Sequence, residues 1–521
     1  MNGSLVPVII VGAGPCGLMT ALLLARAGVR CVVLEKKPGL STHPKAMGVS
    51  RRSAEIYRQL GLTERMAEGS LSFDGHWLAI WSRTLVGEEL GRTPIAGLHN
   101  EFTPCEGSHC PQTWTEQVLF EAVGKEPLAE VRFATEVSRV EPRADRVGVF
   151  LSTGESLEAS WLIAADGAGS GIRHQLGVET AGPGDMGHFV NVMFRAAYGL
   201  HLQDRPAVLY QTLTNEGFEA FVAINGRDLW LMHHFLQPGE KAEDFSAEQF
   251  AEIIRAMSGL PDVPVEVLSM SPWVMSPKVA KKFRIGRVLF TGDAAARLSP
   301  AGGLGLNTGL QSAHNLAWKL AAVVRGEGGE ALLDSYETER FPTAARTLEN
   351  TNRNAVEIFD IITAAMKGDW DTAKELIAHS RRGGAGFGQD LGNAYAQGAF
   401  LPDGTDAPAV NDPVNEYVPV ARPGHRAPHL PITWKGRPAS TLDLFGKEFR
   451  LLAGRDGAMW PEAWRNGVEF FGESFESAYG IEPSGAVLVR PDGYVGARFR
   501  LPPHDPAAAV QAAFRHIFGQ V

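Results

Sequence analysis

Residues 5–17 read Leu5-Val-Pro-Val-Ile-Ile-Val11-Gly12-Ala-Gly14-Pro-Cys-Gly17. The near-continuous apolar run over 5–11 predicts a parallel strand buried on both faces. A helical stretch from Leu18 to Ala27 follows the glycines, and Gly28 sits where a helix C-cap belongs. Cys31 to Leu34 predicts a second buried strand, with Glu35 at its end. Together they make a β–turn–α–β unit. Gly12 suits the tight turn, Gly14 lets backbone approach a diphosphate, and Gly17 permits close helix–strand packing. The helix N-terminus then favours the anion without any side-chain charge. Glu35 stands at the spacing where an acid accepts a bond from a ribose hydroxyl, which favours FAD or NAD over NADP here. Only one such unit occurs. It predicts one resident cofactor, with any second nucleotide docking transiently.

Outward from that unit, 161–165 predicts another buried strand running into Asp166-Gly167, and 287–291 one ending in Gly292-Asp293. A glycine-rich loop leads from there into a long helix over about 309–324, with more helix through Met366 and around 371–380. Helices are also expected over about 52–60 and 112–123, and a hairpin-rich layer over 131–155. Segments 188–197, 207–213, 218–224 and 229–235 read as antiparallel strands, a second layer covering a ligand. Seven prolines between Pro402 and Pro431 mark a linker or wrapping segment, and 440–521 reads as a small α/β module. The expected division is a first part of a dinucleotide-binding domain over 1–185, a substrate-binding sheet domain over 186–280, the second part with long helices over 281–400, and a linker with C-terminal domain over 401–521.

The 521 residues suit a multidomain protein at roughly 100–200 residues per domain. A net charge of −10 argues against nucleic acid or an anionic membrane as partner. Four cysteines make a disulfide scaffold improbable, and Cys105, His109 and Cys110 lack a second cluster to complete a metal site. No signal peptide is recognised, and the apolar stretch Leu18 to Ala25 is too short to cross a bilayer. The expectation is a cytoplasmic protein, monomeric or homodimeric.

Three motifs occur in order: Gly12–Gly17; Ala165-Asp166-Gly167-Ala-Gly-Ser170-Gly-Ile-Arg173; and Gly286-Arg-Val-Leu-Phe-Thr-Gly292-Asp293-Ala-Ala. The third continues through Pro300-Ala-Gly302-Gly303-Leu-Gly305-Leu306-Asn307-Thr-Gly309. This combination resembles the FAD-dependent aromatic hydroxylases, the p-hydroxybenzoate hydroxylase-like single-component monooxygenases. The run Val487-Leu-Val-Arg490-Pro-Asp492-Gly493 resembles the C-terminal thioredoxin-like domain of the phenol and polyketide hydroxylase subgroup. The resemblance implies an α/β fold: a glutathione-reductase-type FAD-binding Rossmann domain, an antiparallel-sheet substrate domain and a thioredoxin-like C-terminal domain.

It also implies roles. Glu35 would bind the adenosine ribose, Lys45 would stand beside the flavin where the family more often has arginine, and Gln112 would lie near FAD. Asp293 would hydrogen-bond the ribityl chain. Backbone around Gly305, Leu306 and Asn307 would face the flavin's pyrimidine edge, and Pro300 would lie near the reactive carbon C4a. Asp166 and Arg173 are associated in the family with FAD and NAD(P)H. Three departures stand out: Ala296 replaces a usual histidine, Ser299-Pro300 a common Pro-Pro, and Met47 sits where relatives can carry a catalytic aspartate. The general base for the substrate is therefore unassigned. The C-terminal module has no cysteine pair, so no dithiol role follows.

The activity so implied is NADPH- or NADH-dependent hydroxylation of a phenolic aromatic, a simple phenol or a polyketide, by O2 through an FAD C4a-hydroperoxide. Baeyer–Villiger oxygenation of a ketone, and a reductase or oxidase without oxygen insertion, are the alternatives. His233 and His234 fall on opposite faces of a strand, and a satisfied structural histidine is the expected reading. Trp230 and Met232 are expected in the core. The basic run from Lys278 to Arg287 and the pair Glu88-Glu89 are expected as solvated surface.

Overall fold

The computed structural model describes residues 5–71, 77–96, 101–215, 217–380, 386–461 and 473–520. At its centre is an eight-stranded sheet whose parallel part runs Val288–Phe290, Ser156–Ala164, Val6–Val11, Cys31–Leu34, Ala129–Arg132. Val8, Ile9 and Ile10 are fully buried, as a strand covered on both faces requires. The helices Pro15–Arg26, Gln112–Val123 and Gly305–Val324 supply part of that cover. The antiparallel hairpin Val137–Pro142 and Val147–Leu151 joins the sheet through Ser156–Ala164 and accounts for the hairpin-rich layer.

Register places the site. Val11 pairs with Leu34 on one side and Ala164 on the other, and Ala164 pairs with Phe290. The residues that follow these strand ends (Gly12, Glu35, Ala165-Asp166 and Thr291 to Asp293) therefore emerge along one edge. In open α/β sheets that carboxyl edge is where ligands bind.

Across it lies a seven-stranded sheet in the order Glu266–Met275, Gly187–Arg195, Leu229–Phe235, Phe218–Ala223, Leu209–Leu213, Trp77–Ser82, Glu89–Ala96. The strands expected within 186–275 are all present. The last two come from outside that block, joined by a parallel pairing of Leu209–Leu213 with Trp77–Ser82. The two-residue alternation is clear: Val190, Val192, Phe194, Trp230 and Met232 pack into one core, with Phe250 and Ile254 of the helix Ala247–Ser258. Phe189, Asn191, His233 and Phe235 face the other way, toward the first sheet.

The long helix Ala331–Met366 and the helix Trp370–Ala378 pack beside this sheet through Ile361, Ala365 and Ile377. The described C-terminal strands Arg450–Ala453, Ala486–Val489 and Val495–Phe499 form a three-stranded antiparallel sheet. Leu451, Leu488 and Val510 of this module share a core with Trp318 and Ala322, so the module rests on the back of the helix Gly305–Val324.

Candidate active site

The carboxyl edge of the parallel strands opens on a cavity of about 1920 Å³ that extends beneath the second sheet. A drug-sized ligand occupies a pocket of about 300–1,000 Å³, so this one has room for a dinucleotide and a further molecule. Of the residues singled out from sequence, Gly12, Gly14, Glu35, Lys45, Gln112, Asp166, Asp293, Pro300, Gly305, Leu306 and Asn307 line it. Gly17 lies behind the lining.

The first helix builds one end. Gly12 has φ +107°, and a Cβ there would lie 2.3 Å from the Ala165 carbonyl oxygen. A Cβ on Gly17 would lie 2.0 Å from the Gly12 carbonyl oxygen. Both glycines are demanded by backbone packing. Gly14 differs: its Cβ would meet nothing within 4 Å, which leaves the bare backbone facing the cavity. The first intrahelical bond runs from the Leu18 amide to the Gly14 carbonyl, 3.0 Å, so earlier amides are free of intrahelical acceptors. Glu35 braces this loop, accepting from the Ala13 amide (2.8 Å) and the Lys37 amide (2.9 Å). A carboxylate has about four lone-pair sites, which leaves capacity for a ribose hydroxyl.

The second motif contributes Asp166. One oxygen accepts from the Ile172 amide, 3.2 Å, while Oδ1 is enclosed and has no partner among the described residues. An enclosed, unsatisfied carboxylate oxygen is costly unless a donor arrives. Arg173 acts differently: its guanidinium ties the carbonyls of Ala294 (3.0 Å) and Ala168 (3.2 Å), bracing the second motif against the third.

The other end is the helix Gly305–Val324, four residues longer at its start than the glycine-rich sequence suggested. Gly302 and Gly303 turn the chain at φ +122° and +67°. The Thr308 amide makes the first helical bond, to Leu304, 2.9 Å. The amides of Gly305, Leu306 and Asn307 thus form a second helix N-terminus on the same cavity. The Asn307 side chain accepts from the Ser50 amide (2.8 Å) and donates to the carbonyls of Gly48 (3.0 Å) and Gly303 (2.8 Å). It stitches the loop to the 48–50 segment. Gly305 would carry a Cβ with nothing within 4 Å.

Lys45 and Asp293 face this end and make no hydrogen bond among the described residues. Asp293 opens onto the cavity; desolvation by the surrounding walls raises its pKa, and the charges of Arg297 and Lys45 pull it back. Gln112 donates to Glu116, 2.8 Å, and Glu116 also accepts from the Ser41 amide, 3.1 Å. Burial pushes the Glu116 pKa up. The Pro300 carbonyl accepts from the Gly303 amide, 3.0 Å, closing the turn before the helix.

Two helix N-termini on one cavity, an unsatisfied aspartate oxygen on the same lining and bare glycine backbone at Gly14 and Gly305 fit FAD: one terminus would take the anionic diphosphate and the other the flavin pyrimidine edge. Beyond the flavin end the lining turns aromatic and apolar. Phe189 stacks on Trp273, with ring centroids 4.6 Å apart and an interplanar angle of 13°. Phe218, Val222, Phe235 and Phe359 add apolar wall, and Asn191, Gln211, His43 and His233 add the polar groups. Asn191, Gln211, Trp273 and Glu116 belong to no motif. The one sequence signal for Asn191 is an amide interrupting the apolar run 189–194.

The expected surface features are surface only in part: Lys281, Lys282 and Glu88 are exposed, whereas Val279, Ala280 and Phe283 are buried and the Arg284 side chain is mostly covered. Arg284 and Arg287 pair with Glu330 and lie over Trp161, and Lys281 pairs with Glu179. Glu88 and Glu89 pair with Lys374 and Arg92. Trp230 and Met232 are core. His234 is bonded to Glu219, 2.6 Å, whereas His233 lines the cavity and departs from the structural reading. No described helix is long and apolar enough to cross a membrane.

Known proteins carry the same architecture. The FAD binding domain family matches residues 5–351, and the aromatic-ring hydroxylase C-terminal family matches 420–521. The chain is 32% identical to the tetracenomycin A2 monooxygenase-dioxygenase of Streptomyces glaucescens, over 100% of this chain and 98% of that protein. It is 32% identical to a 4-methyl-5-nitrocatechol 5-monooxygenase of a Burkholderia species, over 98% of this chain and 97% of that one. The flavin-dependent monooxygenase PieE, solved with FAD and substrate, superposes with a TM-score of 0.91 at 29% identity, over 99% of both chains. The chain belongs to the FAD-dependent aromatic-ring hydroxylases, flavin monooxygenases with a C-terminal aromatic-ring hydroxylase domain.

Proposed function

We propose that this enzyme hydroxylates a phenolic ring of a fused-ring, polyketide-like aromatic, taking electrons from NADPH or NADH and one oxygen atom from O2. The observation that carries the reading is the single continuous cavity, with a dinucleotide cradle at one end and an aromatic, partly polar chamber at the other. Bound FAD supplies reductive activation of dioxygen and transfer of one oxygen atom. The chain's own residues do the rest. Gly14 and the first-helix amides hold the diphosphate, and Asp166 accepts from a hydroxyl or N–H donor of the bound nucleotide; Glu35 takes the adenosine ribose and Asp293 a ribityl hydroxyl. Lys45 and the amides of Gly305, Leu306 and Asn307 place positive charge at the ring edge that gains negative charge on reduction. Pro300 and its turn border the reacting face. Phe189, Trp273, Phe218 and Phe235 hold a flat ring and keep water from it.

The substrate cover is the 186–280 domain together with the strands Trp77–Ser82 and Glu89–Ala96, the second cofactor-binding part and long helices run over 281–400, and the reduced nicotinamide docks transiently. The enzyme works as a monomer or homodimer in the cytoplasm. The test is turnover under ¹⁸O2 across simple phenols and polyketide aglycones. One labelled oxygen in a ring-hydroxylated product supports the reading. Labelled lactone from a ketone, or flavin reduction without any labelled product, overturns it.

A further inference from the structure

The polar corner of the aromatic chamber contains a fixed donor–acceptor chain. Trp273 Nε1 lies 2.6 Å from Asn191 Oδ1, and His233 Nδ1 lies 2.6 Å from the same oxygen. An indole nitrogen can only donate, so the Asn191 atom facing it must be the oxygen. That oxygen can only accept, so His233 must carry its proton on Nδ1. In the neutral ring Nε2 is then a bare lone pair. It has no hydrogen-bond partner among the described residues, and the ring lines the cavity. Asn191 and His233 sit opposite each other in register on adjacent strands, and Trp273 lies on the strand beyond Asn191. The whole chain is therefore held by the sheet.

We propose that His233 is the catalytic base for the substrate hydroxyl, accepting its hydrogen bond at Nε2, with Asn191 and Trp273 as positioning residues that set the tautomer. This rests on the reading of the enzyme as a phenol-directed hydroxylase and names the group that selects a phenol. Before reaction the phenol O–H donates to Nε2. As the ring carbon forms its new bond to oxygen, electron density leaves the phenolic oxygen and its proton becomes strongly acidic. The O–H bond then breaks, its electron pair stays on oxygen as the carbonyl forms, and Nε2 gains the proton. On rearomatisation the C–H bond at the newly oxygenated carbon breaks, its electron pair restores the ring and its proton leaves to solvent, while the carbonyl oxygen takes back the proton held at Nε2, so His233 ends neutral. No oxidant beyond the enzyme's own is involved.

The surroundings keep His233 in the accepting state. Burial pushes its pKa down to about 4, and the neighbouring His43 adds to the effect. The groups facing it from the adjacent strands, Asn191 and Ala220, carry no charge, and neither does Trp273 on the strand beyond Asn191. His43 is itself held by Ser269 Oγ, 2.8 Å, with its pKa lowered by burial and by Lys45. At neutral pH the lone pair is available.

The test compares 2-naphthol with 2-methoxynaphthalene, and their hydroxylated-anthraquinone equivalents, on the FAD-loaded enzyme. Three variants are used: His233→Phe, His233→Gln and Asn191→Asp. Two readouts are taken, equilibrium binding by flavin fluorescence and ring hydroxylation at varied pH. The wild type should prefer the phenol to its ether. His233→Phe, purified with FAD, should lose that preference in binding by about 10-fold and in kcat/KM by about 100-fold or more. His233→Gln should restore part of the binding preference, through its amide oxygen, and little of the rate. Asn191→Asp should hold the imidazolium, moving the acid limb of the pH profile from below the working range up toward neutrality. Rates and phenol preference within threefold of wild type in both His233 variants would overturn the assignment. So would an unmoved acid limb in Asn191→Asp. If the wild type hydroxylates no phenol of the panel, the functional reading itself falls, and this inference with it.

Discussion

Asp293 shows how an isolated carboxylate acquires a ligand-dependent charge. Desolvation by the cavity walls raises its pKa, and no protein donor satisfies it among the described residues. A ribityl hydroxyl that donates to it stabilises the ionised form, so FAD binding should release a proton from this site in the acid range. FAD affinity should fall as pH drops through the raised pKa, because the protonated acid must first be ionised. Asp293→Asn should flatten that dependence. Asp293→Ala leaves the hydroxyl unpaired, at a cost of about 1–3 kcal/mol, a roughly 5- to 150-fold weaker Kd. Apoprotein titrated with FAD between acid and neutral pH checks both. A Kd unchanged by the alanine would place the ribityl chain elsewhere. Asp166 makes the contrasting case: its Oδ1 lacks a donor but its other oxygen already caps the 171–175 helix at the Ile172 amide. Asp166→Ala should therefore lower apoprotein stability as well as FAD affinity.

At the scale of elements, the two helix N-termini use glycine for different reasons. Gly12 and Gly17 are fixed by backbone contacts, Gly14 and Gly305 by the space before them. Gly12→Ala and Gly17→Ala should lower the melting temperature of the apoprotein and its yield. Gly305→Ala should leave apoprotein melting near wild type, since alanine is at least as good a helix former. Its methyl would enter the space at the ring edge, so FAD should bind more weakly, with more hydrogen peroxide released per product formed. Thermal melts of apoprotein and a peroxide assay separate the two classes. A Gly305→Ala enzyme as tightly coupled as wild type would remove that position from the flavin edge.

The same contrast explains what was legible in the chain. The first β–α–β unit and the strands ending in Asp166 and Asp293 were readable, since each is a local apolar run followed by a glycine turn. The start of the Gly305–Val324 helix was not, because its glycines resemble a loop and helix formation there depends on packing onto the first helix. The strands Trp77–Ser82 and Glu89–Ala96 are not legible as members of the second sheet. They pair with each other, but the strand that joins them to the sheet, Leu209–Leu213, lies far along the chain from its partner Trp77–Ser82, and such pairing leaves no local trace. The cradle was thus visible from its motifs, while Asn191, Gln211 and Trp273 gather only once the second sheet folds.

At the scale of the whole molecule, the C-terminal module reaches the flavin helix through buried charge. Arg490 pairs with Glu339, 2.8 Å, and with Asp492, and Lys319 also pairs with Glu339, 2.8 Å. Asn315, on the flavin helix, donates to Glu339 (2.6 Å) and Asp492 (3.2 Å). Next to this cluster Arg340 donates to the Thr308 carbonyl (3.3 Å) and Ser312 Oγ (3.2 Å), in the early turns of that helix. A second contact joins Arg426 of the module to Glu55, which Arg52 also holds at 2.7 Å. Two cations and two anions balance in the first cluster, so removing one is costly: Arg490→Met leaves a net buried negative charge, at about 3–5 kcal/mol. The arginines hold the pKa values of Glu55 and Asp492 down to about 2. Their stabilisation is present above the ordinary carboxylate range and is lost as pH falls through about 2. Acid should therefore release the module before it would release a domain held by apolar packing alone. Because the cluster touches the helix that faces the flavin, loosening it should also speed FAD loss. Arg490→Met is expected to show a lower melting temperature, earlier proteolysis between 401 and 430, and faster FAD dissociation at neutral pH. Lys281→Ala, which breaks an exposed pair with Glu179, should show none of these, since exposed pairs contribute about 0–1 kcal/mol. Flavin fluorescence recovery after dilution, run beside limited proteolysis, measures both. If Arg490→Met exposed the 401–430 segment while FAD dissociated at the wild-type rate, the module would be docked by this cluster without supporting the flavin helix.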